Sequence, residues 1–113
     1  MTEQQYDFGH FLGLVSHKSR DEMVRMAEAE AERVKQLLHP RKGERGVGKQ
    51  SEYLIHHYGT LLGGFIFFLK AGSKHGIKPA GASEAEFQSF KPVIEELVEK
   101  RELPPTALEA FYS

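Results

Sequence analysis

The chain contains no cysteine, which removes disulfide frameworks, thiolate metal centres and cysteine nucleophiles together. No charged-then-apolar leader opens it, and with no disulfide to form the cytoplasm is the expected compartment. Long hydrophobic runs are missing as well. The charge-free run Tyr58–Leu69 stops at Lys70, short of the about 20 residues a membrane-spanning helix needs, so no membrane association is expected. Neither sign of charge dominates, with 15 basic against 16 acidic side chains, which disfavours a dedicated nucleic-acid binder. At 113 residues the chain is expected to form one domain around one core.

What is present is helical in pattern. Within 51–73, apolar residues at 54, 58, 61, 65 and 68 follow the helical repeat, while 62, 66, 67 and 69 fill most of the remaining circumference. A helix apolar on nearly every side is a buried one, and this segment is the expected centre of the fold. The rival local reading ends the helix at Gly63-Gly64 and makes Phe65–Leu69 a strand. No second strand candidate exists to pair with it.

The other elements group around that centre. Thr2-x-x-Gln5 and the spacing of Tyr6, Phe8, Phe11, Leu12 and Val15 predict a first helix over about 3–16. Its opposite side, Glu3, Asp7, His10, Leu14 and His17, reads as a solvated face. Ser19-x-x-Glu22 caps a long second helix that ends at His39 before Pro40, burying Met23, Ala27, Val34 and Leu37 and pairing Glu30 with Arg33 and Glu32 with Lys35 on the outside. Ser83-x-x-Glu86 caps a fourth helix carrying Phe87, Phe90, Ile94, Leu97 and Val98, which Pro92 is expected to kink or break between Phe90 and Pro92. Pro104-Pro105 ends that pattern, and Thr106–Phe111 is a short last turn of helix. The fold class is therefore all-α and bundle-like, four to five helices around a central apolar helix at about 51–73, with a mobile basic loop at 40–49 and a second loop at 72–82.

Two stretches invite a chemical reading. Gly43-x-x-x-x-Gly48-Lys49 nearly spells a phosphate-binding loop, but Gln50 replaces the magnesium-holding hydroxyl and the motif follows a helix instead of a strand, so no nucleotide is expected. Arg41, Lys42, Arg45 and Lys49 remain a candidate set for weak contacts to phosphates or a small anion. In the central helix, Glu52 and His56 stand four apart, and their face runs on through Gly59, Thr60 and Gly63, with Tyr53 alongside. That face is the candidate ligand-binding set Glu52, Tyr53, His56, Gly59 and Gly63, with His56 expected to be at least half buried against a neighbouring helix. A third metal ligand has to come from His10, His17 or a carboxylate elsewhere, and neither Glu-x-x-His nor His-Glu-x-x-His spacing occurs. No catalytic residue, metal or other cofactor is assigned. Gly59-x-x-x-Gly63 and Gly9-x-x-x-Gly13 allow close helix approach.

The function that follows is that of an interaction or accessory protein, acting through association with itself or with a protein partner, most simply as a two-fold dimer. Small-molecule or metal binding by the Glu52/His56/glycine face of the central helix is the alternative, and weak nucleic-acid or anion binding by the 40–49 loop is a third reading. An antiparallel pairing of two central helices brings the 40–49 loop of one copy near the 70–78 loop of the other.

Overall fold

The computed structural model describes residues 7–39, 49–71 and 82–112. Among them the secondary structure is all helical: α1 (Phe8–Val15), α2 (Arg20–Leu38), α3 (Lys49–Ala71), α4 (Glu84–Gln88), α5 (Lys91–Glu99) and a closing 3-10 helix, Pro105–Phe111. The glycine pair does not interrupt α3, and Phe65–Leu69 is helix, not strand. No helix among the described residues is long and apolar enough to cross a membrane. The loops expected at 40–49 and 72–82 lie outside the described residues, apart from Lys49, which opens α3, and Ala82.

Local chemistry sets most of the boundaries. Ser19 accepts a hydrogen bond from the Glu22 amide at the start of α2. At α4 the capping box is complete in both directions, Ser83 Oγ taking the Glu86 amide and Glu86 the Ser83 amide. The break before Pro92 falls at Ser89 and Phe90. Pro92 then sits in the first turn of α5, where its missing N–H leaves no bond unmade. At the other end of α5, Arg101 adopts a left-handed φ of 64°. The Glu102 amide reaches back to Leu97 O at 2.8 Å and the Arg101 amide to Val98 O at 3.0 Å, which closes the helix with a Schellman motif built without glycine.

The first helix departs from expectation. It begins at Phe8 and not near residue 3, because Asp7 has extended backbone angles and its carboxylate caps the Gly9 amide at 3.0 Å. Thr2 and Gln5 lie outside the described residues. An aspartate is a strong cap wherever the chain turns into a helix, and here it outcompetes continuation.

Packing centres on α3. Helix α2 lies antiparallel to it, with Glu28 beside Lys70 and Glu30 beside Tyr58, α1 packs against both, and Phe87, Phe90 and Phe111 of the C-terminal elements meet the remaining apolar sector of α3. Seven of the eight phenylalanines are buried. Their rings form a connected set, with centroids 5.3 Å apart for Phe8–Phe90, 5.5 Å for Phe65–Phe90, 5.3 Å for Phe68–Phe111 and 4.8 Å for Phe87–Phe111. Three separate elements thus meet α3 through aromatic edges and faces. Yet α3 is not enclosed. Ile55, Tyr58, Leu62, Phe65 and Leu69 turn inward, while Glu52, Tyr53, His56, Thr60, Gly63, Phe67 and Lys70 face out.

Phe90 touches rings from α1, α3 and α4 at once, so Phe90→Ala is expected to cost about 3–5 kcal/mol in a urea titration with a normal slope. A loss under about 1 kcal/mol would show that the cluster repacks around the gap.

Candidate functional site

The candidate ligand face is an outward face. The His56 side chain is 60% exposed, against the expectation of half burial, and its Nε2 stands 3.8 Å from Glu52 Oε1, beyond hydrogen-bond reach. The reason is rotation about the helix. Each residue turns the face by about 100°, and Ile55 and Tyr58 take the inward positions, so position 56 points away. Its neighbour His57 is the one that reaches another element, with Nε2 2.7 Å from Glu86 Oε2 of α4. Tyr53 is 76% exposed. Gly59 and Gly63 separate in role. A Cβ at Gly59 would lie 3.3 Å from Val34 Cγ1 of α2, so close helix approach is real there, whereas one at Gly63 would meet nothing within 4 Å.

Beside this face, α2 and α3 form a shallow groove of about 280 Å³ in which Val34, Leu38 and His39 face His56, Gly59 and Thr60. His10 and His17 do not come near it. His10 lines a different groove beside α2, and His17 is tied to α5. No three His, Cys, Asp or Glu side chains converge among the described residues, so Glu52 and His56 gain no third ligand there. Of the anion set, Arg41, Lys42 and Arg45 lie outside the described residues, and Lys49 is the first residue of α3.

The polar group that the pattern did not single out is on α2. Glu30 falls between Ala27 and Val34 on the stripe facing the core, where it accepts from Tyr58 Oη at 2.6 Å and from Arg33 Nε and Nη2 at 2.7 and 2.9 Å. Glu30 is a sequence-visible partner for Arg33, but only its place on the Met23–Ala27–Val34 stripe signals a second role. The Arg33 hydrogen bonds hold its carboxyl below the usual range against the effect of burial, and the Tyr58 hydroxyl adds to them. Burial pushes the Tyr58 phenol far up, and its bond to Glu30 pushes the same way. A phenol whose proton is held this firmly is a structural donor, not a base or nucleophile. Next to it is a groove of about 430 Å³ walled by Phe11, Leu14, Met26 and Ala29.

Two further carboxylates stitch the C-terminal elements down. Glu86 completes the α4 cap and meets His57. Glu96 of α5 takes both the His17 amide, at 3.0 Å, and His17 Nδ1, at 2.7 Å, while Lys100 Nζ donates to His17 O at 3.1 Å. His17 holds a left-handed φ of 69°, a conformation that disfavours a side-chain-bearing residue and that these bonds offset. Among the described residues no buried side-chain nitrogen or oxygen lacks a partner, so no buried polar atom is aimed at a missing ligand. The chain matches no protein-family model, no curated protein and no solved structure.

Tyr58→Phe leaves Glu30 with Arg33 but without its shortest donor, and is expected to cost about 1–3 kcal/mol. An unchanged urea midpoint would mean that water replaces the hydroxyl.

The carboxylates also fix a pH dependence. Glu86 is lowered first by the Ser83 amide and then by His57, and Glu96 first by the His17 side chain. A carboxyl with a lowered folded-state pKa contributes stability that is present above its ordinary value of 4.5 and is lost as pH falls through the folded-state value. Stability is therefore expected to drop below about pH 4.5, and Glu86→Gln with Glu96→Gln to flatten that drop in urea titrations from pH 7 to 3. Parallel curves for wild type and double variant would contradict this account.

Proposed function

We propose that the protein is an interaction or accessory protein that acts by association, chiefly with its own kind, through the outward face of α3. One observation carries this reading. Among the described residues, the outward face of α3 exposes two large aromatic side chains, Tyr53 at 76% and Phe67 at 50%. The helix at the centre of the core thus also turns aromatic side chains to water on one face, and an apolar face of this kind suits a contact site. The side chains around it suit binding better than catalysis. Tyr58, the one phenol of α3 turned inward, holds its proton, and Glu52 and His56 stand 3.8 Å apart, both exposed to water.

A homodimer is the simplest assembly on this reading, and symmetric pairing is the commonest one among soluble oligomers. The cytoplasm suits a cysteine-free chain. Ligand binding at Glu52, Tyr53, His56, Gly59 and Gly63 becomes, on the same view, contact by those residues with a protein surface.

Gly63 gives a clean test, because a Cβ there would meet no atom of another element within 4 Å. Light scattering at micromolar concentration is expected to give a mass above one chain for the wild type and one chain for Gly63→Arg, with helical content unchanged. A one-chain mass for the wild type would overturn the reading.

A further inference from the structure

We infer that the partner of this face is a second copy of the chain, its α3 lying antiparallel across the first, an inference that rests on the association proposed above. The exposed positions 53, 56, 60, 63, 67 and 70 advance by steps of three, four, three, four and three, which keeps them on one straight face. That series reads the same in both directions. A two-fold rotation between positions 60 and 63 therefore lays the face on itself, setting 53 opposite 70, 56 opposite 67 and 60 opposite 63, each pair occurring twice.

The residues match under that rotation. At the centre stand Thr60 and Gly63, the smallest of the set, and the space beyond Gly63 is open, so two helix axes can approach closely there. His56 then meets the partner's Phe67, two flat rings of similar depth. At each end the Tyr53 ring meets the partner's Lys70, an arrangement that draws an ammonium to an aromatic face, and Glu52 adds a carboxylate beside the same ammonium. Lys70 already donates to Glu28 at 2.9 Å, but an ammonium carries three donors. A parallel pairing loses these matches. It sets Glu52 against Glu52 and Lys70 against Lys70, like charges at both ends. The groove beside Val34 and Leu38 of α2 extends the apolar floor next to Gly59 and Thr60, widening the contact beyond a single helix.

Because the natural chain has no cysteine, introduced pairs report the register directly. Positions 56 and 67 are separated by about 16 Å along the helix. In the antiparallel dimer each lies beside the other's counterpart and far from its own, while a disulfide needs Cα atoms within about 7 Å. His56→Cys and Phe67→Cys proteins, one carrying a mass tag, are mixed, allowed to exchange and oxidised mildly, with circular dichroism confirming that each is folded. The expected result is a disulfide-linked heterodimer from the mixture and no linked homodimer from either protein alone. Linked homodimers from the separate proteins would show parallel pairing and overturn the inference. No link in any sample, with wild type at two chains by light scattering, would overturn this register and leave association standing, whereas a one-chain wild type overturns both. A charge swap gives a second readout: Glu52→Lys is expected to raise the dimer dissociation constant about tenfold, and Glu52→Lys with Lys70→Glu to return it near the wild-type value. A double variant no tighter than the single one would overturn the opposition of these two charges.

Discussion

Covering the inward sector of α3 is the constraint on which the rest of the molecule depends. That sector holds Ile55, Tyr58, Leu61, Leu62, Phe65, Phe68 and Leu69, all buried, and no single helix is wide enough to cover it. Helix α2 takes one flank with Met23, Ala27 and Val34. The others fall to α1, through Phe8 and Phe11, and to the C-terminal elements, through Phe87, Phe90, Ile94, Leu97 and Phe111. Aromatic residues are prominent at these junctions because a ring spans the distance between helices that cross at different angles, and it packs edge to face where aliphatic side chains would leave gaps.

Polar bonds then select the arrangement that burial alone leaves underdetermined. An apolar flank accepts many registers, but a carboxylate with two donors accepts few. Glu30 fixes α2 against α3 through Tyr58, Glu86 fixes α4 against α3 through His57, and Glu96 fixes α5 against the α1–α2 turn through His17. Two of the carboxylates also serve their own segments, Glu30 binding Arg33 one turn on and Glu86 closing the α4 cap, while Glu96 steadies the left-handed backbone of His17. The exposed His17–Glu96 pair and the part-buried His57–Glu86 pair contribute little net stability through charge alone. Their geometric effect is larger than their energy, since they join residues from distant parts of the chain.

Elements with a local cause were legible in the sequence. Ser19 and Ser83 announce helix starts because a hydroxyl satisfies an amide a few residues ahead, and Pro92 announces a break because it has no amide to give. The all-helical class followed from period alone. What remained hidden was rotational and non-local. The stripe 54, 58, 61, 65 and 68 identified the inward side of α3 except at Leu54, which is exposed, and the additional apolar residues at 66 and 67 made the whole circumference look buried although Phe67 faces out. His56 and His57 differ by one position and hence by 100°, which decides that the first faces solvent and the second faces Glu86. The expected first helix began too early because Thr2-x-x-Gln5 reads as a capping box, whereas the cap that forms is Asp7, five residues on, and the apolar spacing fits either start.

The glycines of α3 show how a local cost exposes a non-local requirement. Inside a helix glycine is worse than alanine by roughly 0.5–1 kcal/mol, for entropic reasons, so each one asks for a reason. Gly59 has it within the subunit, in the 3.3 Å approach of Val34. Gly63 has none there, and neither does Gly13 of α1, so an open glycine alone singles out no surface. The two differ in surroundings. Gly13 stands on a short helix with one exposed apolar neighbour, Leu14, whereas Gly63 lies near the midpoint of a face that carries Tyr53 toward one end and Phe67 toward the other. Larger side chains flanking a small one leave a depression at Gly63, and that depression is where the proposed association would bring a second helix closest.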